Sequence, residues 1–301
     1  GYVQHGLCLL ALALFEEMKV KGLNPDRFTY SCILKACGNL RLVQKGEEIY
    51  AELQKQRLLE RNNLLGNALL GMYVKCGEIG KAQEVFDELP NWNIISWNAL
   101  IAGYSVNGYG EEALKCLCQM QADGVSPDFV TLSSALKACH TIGAIHKGRE
   151  MHAEIVRKGF ETEVFVSNSL IDMYARCGCL IMARNVLDCL ADRDTISWNA
   201  LLSAYVETRL WEEVIICTEQ MQSEGILLNA VTYIYILKSC MCIGATIKGQ
   251  KVYMEIVQKG HEQTPPIENM LIDMYAKAGC TGEAIQMFEK LPNFSVSSWN
   301  V

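Results

Sequence analysis

The sequence predicts an all-α protein assembled from repeated helical hairpins, and three observations carry that prediction. The pair Trp-Asn occurs at Trp97-Asn98, Trp198-Asn199 and Trp299-Asn300, at the same 101-residue spacing both times. Asn67-Ala-Leu-Leu-Gly-Met-Tyr73 returns in phase as Asn168-Ser-Leu-Ile-Asp-Met-Tyr174 and Asn269-Met-Leu-Ile-Asp-Met-Tyr275. A third series reads Leu34-Lys-Ala-Cys37, Leu136-Lys-Ala-Cys139 and Leu237-Lys-Ser-Cys240. Recurrence at a fixed period marks a repeat architecture, in which each unit buries its apolar face only by stacking on its neighbours.

Each period divides into three units of related length. Phased so that a polar residue falls at the fifth position, they run 27–62, 63–93, 94–128, 129–163, 164–194, 195–229, 230–264 and 265–295. Residues 1–26 read as the tail of another unit and 296–301 as the start of the next. The partial units imply a piece of a longer protein, with 1–301 a single repeat array.

Unit 94–128 shows the logic. Ser96 is expected to cap the first helix, with Thr29, Thr131, Ser197, Thr232 and Ser298 in the same role elsewhere. Trp97, Leu100, Ile101 and Tyr104 follow at the spacing of one buried helical face. Asn107-Gly108 closes that helix, because glycine takes the left-handed backbone that ends helices. Ala113, Leu117 and Met120 mark a second helix, with Glu111 and Glu112 favourably placed in its first turn. Helices of about three turns are not stable alone, so the stack must hold them. About 18 helices are expected over the chain.

Composition agrees. Half the residues are hydrophobic, enough for a continuous core, and six prolines leave little room for linkers. No run of about 18 apolar residues occurs, so no segment is expected to span a membrane. The 14 cysteines follow the repeat rather than a ligand pattern. Cys37, Cys139 and Cys240 are equivalent, as are Cys76, Cys177 and Ala278, which suits a small buried side chain. Cys-x-x-Cys is absent, and Cys116 with Cys118 and Cys177 with Cys179 are too closely spaced for a zinc knuckle. A structural role and a reducing compartment are therefore expected. His152-Ala-Glu154 matches the opening of the zinc deaminase signature, but no Pro-Cys-x-x-Cys follows, and Tyr50 and Tyr253 fill the equivalent places. His5, His140, His146 and His261 form no constellation. No catalytic residue, metal or cofactor is expected, and the segment is not read as an enzyme.

Ser96-Trp-Asn-Ala-Leu-Ile-Ala-Gly-Tyr104, Leu170-Ile-Asp-Met-Tyr-Ala-Arg-Cys-Gly178 and Leu136-Lys-Ala-Cys139 resemble pentatricopeptide repeat proteins. The alternation of standard, long and short units resembles the plant subclass in which they rotate in triplets. The likeness extends over all 301 residues. It implies a right-handed α-solenoid that binds single-stranded RNA, one base per unit. Members of the subclass mostly act in chloroplasts or mitochondria, selecting cytidines for conversion to uridine. RNA is thus the implied partner, alongside an editing deaminase domain or other editing factors. The rival is a helical scaffold that binds proteins, which would not need polar pairs at fixed places.

In the family, a unit's fifth and last residues contact the base. Carried onto this chain, they are Ser31 with Asn62, Asn67 with Asn93, Asn98 with Asp128, Ser133 with Glu163, Asn168 with Asp194, Asn199 with Asn229, and Asn269 with Ser295. An Asn amide donates and accepts, Asp offers an acceptor to the ring N–H of uracil, and Asn can donate to the ring nitrogen of cytosine. Ile234 with Thr264 breaks the pattern, as does Glu163, so units 129–163 and 230–264 are left without a base. An Asn at a helix start is also explained by capping of the backbone.

The second residues, Phe28, Leu64, Ile95, Val130, Phe165, Ile196 and Val231, would wedge between bases in the family, though core residues would look the same. Pro266 and Ser297 depart from the series. A net charge of −7 is unusual for a nucleic-acid binder. Acid concentrates on second helices, at Glu16-Glu17, Glu47-Glu48, Glu84 with Glu88, and Glu111-Glu112. First helices carry Lys75, Arg176 and Lys277 in phase, expected on the RNA backbone, and Lys35, Lys137 and Lys238.

Overall fold

The computed structural model describes residues 2–59, 63–89, 91–258, 265–277 and 279–289. Among them are a short 3₁₀ turn at Tyr2–His5 and seventeen α-helices, with no strand. The chain divides into two compact units, residues 1–160 and 161–301. In the first lie α1 (Cys8–Val20), α2 (Arg27–Leu40), α3 (Val43–Lys55), α4 (Asn63–Cys76), α5 (Ile79–Glu88), α6 (Ile94–Val106), α7 (Gly110–Ala122), α8 (Phe129–Thr141) and α9 (Ile145–Lys158). The second contains α10 (Val164–Arg176), α11 (Leu180–Cys189), α12 (Thr195–Glu207), α13 (Trp211–Ser223), α14 (Ala230–Cys242), α15 (Thr246–Gln258), α16 (Pro265–Lys277) and α17 (Thr281–Glu289).

Even-numbered helices from α2 onward are the first helices of successive hairpins, beginning at residues 27, 63, 94, 129, 164, 195, 230 and 265. In residues 1–160, α2, α4, α6 and α8 pack in series, and α3, α5 and α7 each pack on their own partner and on the next first helix, while α9 packs on α8. The same arrangement joins α10, α12, α14 and α16 in the second compact unit. A helix between neighbours must be apolar over most of its circumference, whereas an outer helix needs one stripe. Accordingly α6 buries Ser96, Trp97, Leu100, Ile101, Gly103 and Ser105, while α7 buries Gly110, Ala113, Leu117 and Met120. Tyr104, expected on the buried stripe, is half-buried, and its hydroxyl donates to Gln83 Oε1 at 2.8 Å.

The core is aromatic at regular intervals, with Tyr30, Tyr73, Trp97, Tyr174, Trp198 and Tyr233 fully buried. Trp97 meets Phe86 edge-on at 4.7 Å. Close approach of first helices depends on missing side chains: a Cβ on Gly38 would lie 3.1 Å from Met72 Cα, and one on Gly103 2.5 Å from Val74 Cγ2. Gly108 has φ +86°, and Tyr109 N–H beyond it donates to Tyr104 carbonyl at 2.9 Å, closing α6.

Cys37, Cys139 and Cys240 are completely buried. Burial pushes the Cys37 thiol up to about 11 and the Cys240 thiol above its usual value. Cys76 and Cys177 are half-buried, and Ala278 lies outside the described residues. No described helix is long and apolar enough to cross a membrane.

Candidate functional site

The site is built at the N-termini of first helices. Ser96 does not cap α6, contrary to expectation; Asn93 does, three residues earlier. Asn93 has extended backbone, and its Oδ1 accepts from the N–H groups of Ile95 and Ser96, both at 3.0 Å. Asp26, Asp128, Asp194 and Asn229 cap α2, α8, α12 and α14 through the backbone N–H of Thr29, Thr131, Ser197 and Thr232. In α6, α8 and α14 the third helical residue returns the bond, closing a capping box. Ser298 lies outside the described residues. The helices start earlier than the apolar stripe because the second helical residue is exposed (Ile95, Ile196) and the third, though buried, is polar (Ser96, Thr131, Ser197, Thr232), so apolar periodicity does not register the first turn.

Backbone capping therefore accounts for the last residues Asn93, Asp128, Asp194 and Asn229 rather than for any fifth residue, and it does not exhaust them. Asn98 Nδ2 donates to both carboxylate oxygens of Asp128, at 3.0 and 3.2 Å, while Thr131 hydroxyl donates to Asn98 Oδ1. The design recurs in residues 161–301, where Asn199 Nδ2 donates to Asn229 Oδ1 at 3.2 Å and Thr232 hydroxyl donates to Asn199 Oδ1 at 2.9 Å. Fifth and last residues of these two repeats thus meet directly. Burial of Asp128 opposes its ionisation, but the Thr131 N–H, the Thr131 hydroxyl and the Asn98 amide outweigh it, so the carboxyl stays below its ordinary value.

The other candidates differ. Asn67 and Asn168 have half-buried side chains whose Oδ1 atoms are enclosed without a hydrogen-bond partner. Ser31 and Ser133 are buried, and Ser133 Oγ likewise has no partner. Asp194 caps α12 through Ser197 at 2.7 Å. Glu163, one methylene longer than Asp, makes no side-chain cap to α10, and Ser167 hydroxyl donates instead to Glu161 carbonyl at 2.9 Å. Ile234 is half-buried on α14, and Asn269 half-buried on α16. Asn62, Thr264 and Ser295 lie outside the described residues.

The second residues are not core. Phe28 is 57%, Ile95 60%, Phe165 60% and Ile196 66% exposed. Leu64 and Val231 are exposed, and Val130 is half-buried. On each helix they stand three residues before the fifth residue, hence beside it on one face. Sequence reasoning assigned Thr131 and Thr232 to capping and missed their bonds to the fifth residue. The signal was the hydroxyl residue at the third position of α6, α8, α12 and α14 (Ser96, Thr131, Ser197, Thr232), each following a repeat whose fifth residue is Asn, where α4, α10 and α16 carry Leu65, Val166 and Ile267.

The basic residues are less uniform than their spacing suggests. Arg176 pairs with Asp172 at 2.8 Å and Lys277 with Asp273 at 2.8 Å, each one turn back on its own helix. Lys75 has Gly71 at that place and donates to Asn39 Oδ1 at 2.6 Å. Much second-helix acid is engaged by lysines of neighbouring second helices: Lys45 with Glu16 at 2.8 Å, Lys81 with Glu47, and Lys248 with Glu219. Among the described residues, no group of three His, Cys, Asp or Glu is arranged to hold a metal.

Helical hairpins in series, with fifth and last residues in direct contact in repeats 94–128 and 195–229, define an α-helical repeat protein. Two repeat models match it, one described as the PPR repeat family at residues 1–39, 92–141 and 193–242, the other as the PPR repeat at 28–58, 67–94, 165–194 and 269–296. The chain belongs to the pentatricopeptide repeat family of plant proteins. A chloroplastic pentatricopeptide repeat-containing protein of Arabidopsis thaliana is 32% identical over 310 residues, covering 99% of this chain and 35% of the relative. Another chloroplastic member from that plant is 33% identical over 291 residues, covering 96% and 36%. A third is 35% identical over 289 residues, covering 95% and 53%, so the chain spans about a third to a half of these relatives. Among solved structures, the maize pentatricopeptide repeat protein PPR10, crystallised in complex with an 18-nt psaJ RNA element, aligns at TM-score 0.50 and 18% identity. That alignment covers 98% of this chain and 55% of the other, and the likeness is one of fold.

Proposed function

We propose that this chain binds single-stranded RNA in a sequence-specific manner, one base per repeat, and directs organellar RNA processing such as C-to-U editing. The observation that carries the reading is the side-chain pair Asn98–Asp128, repeated as Asn199–Asn229. Helix capping alone requires neither the fifth residue nor its contact with the cap. Each pair sits beside an exposed apolar residue, Ile95 or Ile196, suited to stacking on a base face while the polar pair meets its edge. Lys75, Arg176 and Lys277 are assigned to the RNA backbone, with Lys75 least neutralised. The RNA complex of the maize structural neighbour and the chloroplastic relatives support this assignment, including action in a chloroplast or mitochondrion. Editing itself is assigned to a deaminase domain or other editing factors.

With the family's parallel polarity and its preference of Ser with Asn for adenine, the pairs predict, from the 5′ end, adenine, a pyrimidine, uracil, any base, uracil, cytosine, any base, cytosine. A gel-shift competition tests this. The designed RNA should compete strongly and a scrambled RNA of equal composition weakly; equal competition would reject base reading. Absence of any RNA binding would favour the protein-binding scaffold. In the source plant, disruption of the gene should abolish conversion at individual organellar cytidines, read by transcript sequencing.

A further inference from the structure

We propose that Thr131 and Thr232 are positioning residues that lock the amides of Asn98 and Asn199 in one orientation, and that Asn67 and Asn168 lack this lock. The inference rests on the base-contact reading of the fifth residues. An Asn amide can present either its oxygen or its nitrogen by turning about one bond, so its specificity depends on what holds it. In Asn98, Oδ1 accepts from the Thr131 hydroxyl and Nδ2 donates to the Asp128 carboxylate, which can only accept. The reversed amide would set its oxygen against that carboxylate, and the Thr131 hydroxyl would lose Asn98 Oδ1 as an acceptor and keep only Asp128 Oδ1, at 2.8 Å. Asn199 is held alike, since Asn229 Oδ1 is committed as an acceptor to the Thr232 N–H at 3.0 Å. One Nδ2 hydrogen remains on each locked amide, so a ligand meets a donor and must offer an acceptor, as a pyrimidine carbonyl does.

At the third position of the helices following Asn67 and Asn168 stands serine instead. Ser96 hydroxyl turns back to Asn93, reaching its carbonyl at 3.1 Å and its Oδ1 at 3.0 Å. Ser197 hydroxyl donates to Asp194 Oδ1 at 2.6 Å. Neither reaches the preceding fifth residue, and the Oδ1 atoms of Asn67 and Asn168 are left enclosed without a partner. Units 94–128 and 195–229 are therefore the strict readers, and units 63–93 and 164–194 the permissive ones.

The test uses the whole 301-residue chain carrying Thr131→Val or Ser96→Thr. Selective ¹⁵N-asparagine labelling follows hydrogen exchange of the side-chain amides in the RNA-free protein. RNAs that differ only at the base facing unit 63–93 or 94–128 then measure discrimination. Thr131→Val should speed exchange at Asn98 and reduce discrimination about threefold to tenfold at that base alone, the worth of about one hydrogen bond. Ser96→Thr should slow exchange at Asn67 and sharpen its base. Should Thr131→Val misfold, Thr131→Ser keeps the hydroxyl and should still release Asn98, as Ser96 leaves Asn67. Unchanged exchange at Asn98, or a loss of affinity equal at every base, overturns the lock. Normal exchange changes with wild-type protein that discriminates no base overturn the base-contact reading instead.

Discussion

The amide nitrogen of Asn98 sits 3.0 Å from one carboxylate oxygen of Asp128 and 3.2 Å from the other, although thirty residues separate them. Asp128 thereby serves two structures at once, capping α8 of the next hairpin through Thr131 and orienting the fifth side chain of its own repeat. Capping alone would select Asp, Asn or Ser here; the second bond makes the choice bear on recognition.

Asp128→Asn should move the preference of unit 94–128 from uracil toward cytosine, because a group able to donate replaces an acceptor. Stability should change by less than about 1 kcal/mol, since Asn caps as well as Asp. The cost stays small although Asp128 is half-buried. Asn229 already fills the equivalent place with Asn. Asp128→Ala should instead cost about 1 kcal/mol or more through loss of the cap. Urea titration and competition binding read both effects, and an equal loss for uracil and cytosine would count against base reading.

The acid limb of stability should report the same carboxylate. Its folded pKa lies below the ordinary 3.8, so the stabilisation is fully present above that value and is lost as pH falls through the folded pKa. Asp26, lowered chiefly by the Thr29 N–H, acts in the same direction. Thermal melts from about pH 6 to about pH 2 should fall less steeply for Asp128→Asn than for wild type. Uracil preference at unit 94–128 should stay constant between about pH 5 and 8, where the carboxylate remains ionised.

Lys75→Ala should weaken binding to all RNAs alike and flatten the salt dependence more than Arg176→Ala does. Arg176 is already paired with Asp172, whereas the place one turn before Lys75 is Gly71. Gly71→Asp, which supplies that missing carboxylate, should weaken binding in the same sequence-independent way. Slopes of log Kd against log salt separate these variants from the base-reading ones.

Two glycines in residues 1–160 should respond to alanine with opposite signs. Gly71 has nothing within 4 Å of an added Cβ, so Gly71→Ala should stabilise by about 1 kcal/mol through helix propensity. At Gly103 the Cβ would meet Val74 Cγ2 at 2.5 Å, and overpacking of about 1–3 kcal/mol should outweigh that gain. Val74→Ala in the Gly103→Ala background should recover part of the loss, measured by denaturant titration.

The repeat, the all-helical fold and the placing of Cys37, Cys139 and Cys240 in the core were legible from sequence, because periodic burial leaves a periodic pattern in residue type. The start of each first helix was not. Apolar spacing begins only where the helix meets the core, which misplaced the cap from Asn93 onto Ser96. Exposure of Phe28, Ile95, Phe165 and Ile196 also required three dimensions, since an apolar residue in a helix looks the same inside or out. Charge balance needed three dimensions as well: spacing aligns Lys75, Arg176 and Lys277, but the structure shows that Arg176 and Lys277 are paired with carboxylates of their own helices while Lys75 meets Asn39. By itself, then, the sequence determined the fold class and the positions of the candidate side chains, which depend on local periodicity. Only the tertiary structure decided which of them touch, because the bonds from Asn98 to Asp128 and Thr131 join residues thirty or more apart, and no local pattern encodes a contact made by stacking.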